Sequence, residues 1–256
     1  MEVTPEPDRI SKTFLENLPP TMTVGDSYPE QLLLREYGAV FVARGGVVPP
    51  DRIVFTDSEE VERFQRHLEV SGESIGGFYL ELQTPAMDAL RKAIADAEAA
   101  GLAISPRDKD SAKRSYDETI ELWASRVDPA LVHWVSMGRM TQAQADKLKS
   151  LSPFEQVPEV LRLEQQGIFF AKDLSKSIIY SVAPPGTSQH LSMLAMDVKE
   201  HEDAKVRETL AKNGWYQTVI SDLPHFTFLG VEESTLSTLG LKKALNNERS
   251  FWIPEI

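Results

Sequence analysis

The chain has 256 residues, of which 41% are hydrophobic and 8% aromatic, so a sizeable core can form in one large domain or in a domain with an extension. Its 39 acidic residues outnumber its 27 basic ones, and the net charge of -12 disfavours nucleic acid and anionic lipid as partners. Cysteine is absent, which excludes disulfides and thiolate metal sites and leaves His, Asp and Glu as metal ligands.

The N-terminal sequence MEVTPEPDRISKTF lacks the basic start and the apolar core of a signal peptide. No apolar run reaches the roughly 18 residues that a membrane helix needs. The sequence therefore predicts no membrane span, and a chain that is cytosolic or whose leader has been removed.

The first predicted elements are short strands and two helices. Residues 1–30 are proline-rich with little periodicity, which predicts an extended arm laid over the domain. The segments GAVFVARGG, RIVFTD and GFYLELQ are typical of strands, and SEEVERFQRHLEV predicts a helix capped by Ser58. The clearest helix is TPAMDALRKAIADAEAAG, with Thr84 as cap, Pro85 in its first turn and Gly101 at its end.

The middle of the chain is predicted to be helical, with one helix over 116–127. Two capping-box signatures open further helices through residues 141–166: Thr141 with Gln144, and Ser152 with Glu155. The later segments SIIYSV, MLAMDV, YQTVIS and HFTFLG predict strands, and DAKVRETLAKNG predicts a helix between the second and the third. Helices ahead of a strand-rich C-terminal half predict an α+β fold with a small antiparallel sheet.

Two of these strands carry polar residues that alternation puts opposite an apolar face: Asp197 in MLAMDV and His225 in HFTFLG. If the strands are antiparallel neighbours, the two Cβ atoms lie about 5 Å apart, which suits one metal with bonds of about 2 Å. His190, on the loop that enters the first strand, is a candidate third ligand. Two histidines and one aspartate with an open position are typical of hydrolytic zinc sites, where the remaining water becomes the nucleophile.

Such a site also needs a base and a cation. Asp222, three residues before His225, is the candidate general base. Arg114, just ahead of a predicted helix, is the candidate for binding the oxyanion and the substrate carboxylate, because a guanidinium can bind a carboxylate through two hydrogen bonds.

These segments together resemble a known family. SQHLSMLAMD matches the pattern SxHxxxxAxD, DLPHFTFLG matches a (D/E)xxHF closing motif, and KRSYDET resembles the upstream arginine segment of the zinc D,D-peptidases. Over roughly residues 83–230 the chain resembles the VanY-type D-alanyl-D-alanine carboxypeptidases, with the related VanX dipeptidases and L-alanyl-D-glutamate endopeptidases.

The resemblance implies a D,D-peptidase/hedgehog-like fold whose small antiparallel sheet carries one zinc ion per chain. It implies three zinc ligands: His190, Asp197 and His225. It also implies Asp222 as general base, Arg114 as a group that stabilises substrate and transition state, and Ser188 in the substrate site. The peptidase domain is expected over 76–256, with a helical insertion at about 128–176, after an arm and extension over 1–75.

Three positions depart from the family pattern. Asp222 and Pro224 stand where many of the carboxypeptidases have glutamate and tryptophan, and the closing motif therefore leans toward the endopeptidases. Met193 replaces a glycine that is common in the first motif, and we expect it to tighten the site.

The resemblance implies a substrate, a peptidoglycan stem peptide or its precursor. We expect a D-alanyl-D-alanine carboxypeptidase first and an L-alanyl-D-glutamate endopeptidase as the alternative. These substrates lie outside the cytoplasm, so an extracytoplasmic location with the leader absent is expected.

Two other classes of function compete with the peptidase. GESIG matches the GxSxG motif of serine hydrolases, but Ser74 follows a predicted helix and precedes a strand, the reverse of a nucleophile elbow. A zinc-stabilised, non-catalytic cell-wall binding module is the other, and Asp222 argues against it. We expect the remaining histidines to be structural or exposed: His67, His133 and His201.

Overall fold

A computed structural model describes residues 12–255, and in that part of the chain there are eight α-helices and seven β-strands. The helices are α1 (Lys12–Asn17), α2 (Tyr28–Tyr37), α3 (Ser58–Arg66), α4 (Thr84–Ala99), α5 (Tyr116–Ser136), α6 (Gln142–Ser150), α7 (Pro153–Glu164) and α8 (Ala204–Lys212). The strands are β1 (Val70–Ile75), β2 (Phe78–Gln83), β3 (Ala195–Asp197), β4 (Trp215–Tyr216), β5 (His225–Phe228), β6 (Leu241–Asn246) and β7 (Arg249–Pro254).

The strands form three small antiparallel sheets, which confirms the predicted α+β class. β5 lies in the middle of a three-stranded sheet with β3 on one side and β4 on the other. β1 with β2, and β6 with β7, form two separate hairpins. In the three-stranded sheet Asp197 pairs directly with His225, so the antiparallel pairing expected for these two residues is confirmed.

Most of the predicted helices are present. The predicted cap Thr84 is wrong, because Thr84 is the first residue of α4 and its N-cap is Gln83; Gly101 follows the end of the helix with a φ of 71°. Both predicted capping boxes are complete, at the starts of α6 and α7. α3 is capped by Asp57 rather than Ser58, and α5 continues well past residue 127.

Three predicted strands are wrong. GAVFVARGG contains a 3-10 helix over Gly38–Val42, SIIYSV contains one over Ile178–Tyr180, and RIVFTD is irregular. All of Gly38–Val42 is buried, so this segment has no polar face. Its sequence therefore shows no alternation of apolar and polar residues that would distinguish a helix from a strand. YQTVIS contributes only Tyr216 to β4.

One cluster of buried apolar side chains extends from Phe14 in α1 to Leu241 in β6. α1 lies over the C-terminal part of the chain, where Asn17 Nδ2 donates to Thr238 O at 3.2 Å. The domain boundary at residue 75 stays a prediction, and β1 pairs with β2 across it. Residues 1–11 of the predicted arm lie outside the described residues. None of the helices within residues 12–255 has the length and apolar character of a transmembrane segment.

Candidate metal centre

Three elements bring the predicted ligands together. Asp197 ends β3, His225 begins β5, and His190 lies in a 3-10 helix over Gln189–Ser192. The three residues are almost fully buried, with 6%, 4% and 2% of their surface exposed. One ligand atom from each lies within 4.8 Å of the others, the arrangement that a single metal ion requires.

The spacing of these atoms suits tetrahedral zinc. Asp197 Oδ1 lies 3.3 Å from His190 Nε2 and 3.3 Å from His225 Nδ1. With bonds of about 2.0–2.1 Å, a tetrahedral zinc ion separates neighbouring ligand atoms by about 3.3–3.4 Å. An N–H···O hydrogen bond is typically shorter, near 2.9–3.0 Å. Both distances therefore fit two ligands of one ion better than two hydrogen bonds.

The tautomer of His190 is set by a backbone carbonyl. Its Nδ1 lies 2.6 Å from Ala112 O, and a carbonyl oxygen can only accept a hydrogen bond. Nδ1 therefore carries the proton and donates it. In the neutral ring this leaves a lone pair on Nε2, the atom that faces Asp197.

The tautomer of His225 is set by Gln189. The amide nitrogen of Gln189 donates to Tyr37 O at 2.9 Å, so its oxygen Oε1 is the atom that faces His225. His225 Nε2 lies 2.9 Å from that oxygen and donates to it. The lone pair of the neutral ring is then on Nδ1, 3.3 Å from Asp197 Oδ1. Three acceptor atoms converge on one point, and only a cation can hold them there.

Burial disfavours the protonated, charged form of His190, so a proton on this ring is a poor candidate for that cation. Burial lowers the pKa of His190, although the charge of Asp197 acts in the opposite direction. For Asp197, burial alone would raise the pKa, but the two neighbouring histidines hold it well below its usual value. Both groups are thus held in the deprotonated forms that bind a metal. The donor set fits zinc.

A buried hydrogen-bond network surrounds Gln189. Besides His225, its oxygen accepts hydrogen bonds from the hydroxyls of Thr227 and Thr218. Thr227 lies on the same strand as His225, two residues on, and therefore on the same face of the sheet. Gln189 was missed by the sequence analysis. The sequence shows only that Gln189 carries an amide next to His190 within an apolar stretch. This alone does not identify His225 as the residue that the amide contacts.

Arg114 contacts the metal centre through Asp197. Its Nη2 donates to Asp197 Oδ2 at 3.0 Å, and its Nε donates to Asp110 O at 3.1 Å. The loop that carries it also holds the backbone of Asp197, whose N–H donates to Ser111 O at 2.8 Å. Asp197 therefore has one oxygen for a metal and the other for Arg114. The guanidinium keeps further N–H groups for a substrate.

The three convergent ligands open onto a cavity of about 440 Å³. Arg114, Ser188 and Asp222 all line it. Asp222 is exposed, and its carbonyl accepts a hydrogen bond from His225 N at 3.2 Å in the tight turn before β5. Within residues 12–255, its carboxylate is not one of the clustered metal-ligand atoms. Asp222 therefore lines the cavity without belonging to the cluster of candidate ligands.

One wall of the cavity is the segment 179–183. The buried carboxylate of Glu164 anchors its start, because Glu164 Oε1 accepts hydrogen bonds from Ile178 N at 2.7 Å and Phe170 N at 3.1 Å. Tyr37 also holds this wall, since its hydroxyl donates to Ile179 O at 2.7 Å. Burial raises the pKa of Tyr37 well above its usual value, so the hydroxyl stays protonated.

The backbone at Met193 explains why a glycine is favoured there. Met193 ends the 3-10 helix that carries His190 and has a φ of 58°, in the left-handed region. A side chain in this region costs roughly 1–2 kcal/mol. The fully buried Met193 side chain packs in the core and offsets that strain.

The competing serine lies elsewhere. Ser74 is an exposed residue of β1, in a hairpin whose turn is Gly76 and Gly77, and it does not line the cavity. The other histidines lie away from the metal centre. His67 is an exposed cap of α3, His133 packs edge-on against Trp134, and His201 lies beside Arg249.

Comparison with known proteins gives one distant likeness. No protein-family model matches the chain, and no curated protein matches it. Its structure is similar to a crystal structure of a mutant of the vancomycin resistance D,D-pentapeptidase VanY, from a VanB-type resistance cassette, in complex with Zn(II). The identity is 15% and the TM-score 0.40, over 75% of this chain and 91% of that chain. So distant a likeness assigns no function to this chain.

Proposed function

We propose that this chain is a zinc-dependent peptidase that acts on peptidoglycan stem peptides or their precursors. The observation that carries the proposal is the convergence of His190 Nε2, Asp197 Oδ1 and His225 Nδ1 at zinc spacing, at the edge of a cavity that Asp222 and Arg114 also line. A metal held by three protein ligands with an open position is typical of hydrolytic zinc sites.

Each residue has a role that its contacts support. Zinc bound by the three ligands supplies a Lewis acid that activates water and polarises a peptide carbonyl. Asp222 accepts the proton of the attacking water and returns it to the leaving amine. Arg114 orients Asp197 and uses its remaining N–H groups to bind the substrate oxygen on which negative charge develops. Ser188, buried at the cavity wall, contacts the substrate.

Two bond specificities are compatible with this site. We assign D-alanyl-D-alanine carboxypeptidase first, on the resemblance of the SxHxxxxAxD and arginine segments. Asp222 and Pro224 in the closing motif favour the L-alanyl-D-glutamate endopeptidase as the alternative. Either substrate places the protein outside the cytoplasm. The domain that carries the site is 76–256, with a hedgehog-like sheet and a helical insertion at 128–176.

Defined muropeptides separate these functions. The zinc-loaded chain and a chelator-treated sample are incubated with a stem pentapeptide, and the products are weighed by mass spectrometry. Loss of one alanine identifies the carboxypeptidase, and a cut between L-alanine and D-glutamate identifies the endopeptidase. If the zinc-loaded chain binds the peptide without cutting it, the chain is a binding module and the peptidase proposal is wrong.

A further inference from the structure

The cavity contains an arginine without an acidic partner. Arg126 lines the cavity from α5, and within residues 12–255 it forms no ion pair with a carboxylate. Its Nε donates to Ser181 Oγ at 2.9 Å and its Nη1 to Ser125 Oγ at 2.9 Å. A guanidinium has five N–H groups, so the side chain is oriented while several donors stay available.

Arg126 is one of six arginines within residues 12–255 that form no ion pair with a carboxylate, in a chain where acidic residues outnumber basic ones by 39 to 27. Seven other arginines form ion pairs with Asp or Glu: Arg35, Arg52, Arg63, Arg91, Arg114, Arg162 and Arg249. The positions three and four residues from Arg126 along α5 carry no acid: Leu122, Trp123, Pro129 and Ala130. The helix therefore leaves the guanidinium without a local carboxylate.

The charge around the cavity differs from that of the whole chain. Three arginines and three aspartates line it: Arg107, Arg114, Arg126, Asp108, Asp197 and Asp222. Arg114 is already paired with Asp197. A divalent metal at the centre would make the cavity net positive in a chain whose net charge is -12. Such a cavity favours an anionic ligand.

Arg126 also lies away from the metal ligands. Thr119, Leu122 and Arg126 line the cavity from one face of α5, because they are spaced by three and four residues. Arg114, which contacts Asp197, precedes the start of this helix. Seven residues separate Thr119 from Arg126, so Arg126 lies about 10 Å farther along the helix axis. A fully extended peptide of about three residues spans such a distance.

We propose that Arg126, oriented by Ser181, is an anion subsite that binds a carboxylate of the peptide substrate. The proposal rests on the proposed function and adds to it a recognition site away from the metal. A guanidinium with free N–H groups binds a carboxylate through charge-assisted hydrogen bonds, whereas a carboxamide in the same place presents only one acceptor oxygen and no charge.

A binding experiment tests this subsite without requiring cleavage. The full chain carrying Asp222→Asn is incubated with zinc, and its Kd is measured by calorimetry for three peptides. These are a stem pentapeptide ending in D-alanyl-D-alanine, the same peptide with a C-terminal amide, and the same peptide with its D-glutamate carboxylate converted to an amide. The amide that weakens binding identifies the carboxylate that Arg126 contacts. Each measurement is repeated with Arg126→Gln, with Arg126→Lys, and with Arg139→Gln as the control.

Arg139 is exposed, lies just beyond α5 and does not line the cavity, so Arg139→Gln removes the same charge at a distance. Arg126→Gln should weaken binding of the carboxylate peptide about 10- to 100-fold, the range expected for a hydrogen bond to a charged group. Binding of the matching amide should change less than about threefold, and Arg126→Lys should be intermediate because it keeps the charge but not the fork. The proposal is overturned if all three peptides have the same Kd or if none of them binds. It is also overturned if Arg126→Gln and Arg139→Gln change the Kd by the same factor. The Asp222→Asn chain does not cut the peptide, so these binding measurements do not depend on hydrolysis. A wild-type chain without hydrolytic activity would therefore refute the peptidase function but not the Arg126 subsite.

Discussion

Gln189 is the residue whose replacement best separates metal binding from folding. Its oxygen accepts the proton of His225 Nε2 at 2.9 Å and thereby directs His225 Nδ1 toward Asp197. Its amide nitrogen donates to Tyr37 O at 2.9 Å. Gln189→Leu removes both contacts at nearly constant volume. Gln189→Glu keeps the acceptor for His225 but places a carboxylate oxygen against the carbonyl of Tyr37.

The two variants should differ in zinc affinity more than in stability. Gln189→Leu removes the partner of the His225 N–H and of the Tyr37 carbonyl, while Thr218 and Thr227 keep the hydrogen bond between their hydroxyls, and each buried unpaired group costs about 1–3 kcal/mol. We expect a loss of roughly 2–5 kcal/mol in the free energy of unfolding. Loss of a residue that orients a metal ligand lowers metal affinity about 10- to 100-fold. Gln189→Glu should also lose stability, while its zinc affinity stays within about threefold of wild type because the His225 contact is kept.

Zinc affinity is measured by competition with a chromophoric chelator, and stability by urea unfolding of the zinc-free chain. If Gln189 only filled space, zinc affinity would fall in step with stability in both variants. Equal zinc affinity in wild type and Gln189→Leu would refute the assignment of the His225 tautomer.

Three further predictions concern the base, the competing serine and a buried carboxylate. Asp222→Asn should lower kcat roughly a hundredfold or more while zinc content stays at the wild-type value, and full turnover would mean that another residue is the base. Ser74→Ala should leave muropeptide hydrolysis near wild type while a chelator abolishes it, and the opposite result would favour a serine hydrolase. Burial raises the pKa of Glu164, so its stabilising contribution is complete below its ordinary pKa and is lost as pH rises through the folded-state value. Glu164→Gln mimics the protonated form, and its unfolding free energy relative to wild type should therefore rise between pH 4 and pH 7; a difference that does not change with pH would contradict this.

The clustering of Asp197 with His225 could be predicted because it depends on local periodicity. Alternation in MLAMDV and HFTFLG predicted the faces of Asp197 and His225, and antiparallel pairing of the two short strands brings these faces together. The capping boxes of α6 and α7 were equally local, since each one needs only four consecutive residues.

The missed features depend on contacts between distant residues. Ile178, in the supposed strand SIIYSV, donates its N–H to the Glu164 side chain, so no ladder forms there. Phe55 in RIVFTD makes a single backbone hydrogen bond, to Gly186 O. β1 was not predicted, since only its first residue, Val70, lay in the segment assigned to a helix. Gln189 finds its partners Tyr37 and Thr227 far away in sequence. No periodicity encodes such pairings.

Zinc binding by the 256-residue chain tests the central claim most directly. The purified chain is loaded with zinc, dialysed and assayed for metal content, beside His190→Ala and a control, His133→Ala, whose histidine lies away from the centre. We predict about one zinc per chain for wild type and for His133→Ala, and little zinc for His190→Ala, because removal of one of three ligands abolishes tight binding. A wild-type chain that binds no zinc, or a His190→Ala chain that keeps it, would contradict the account.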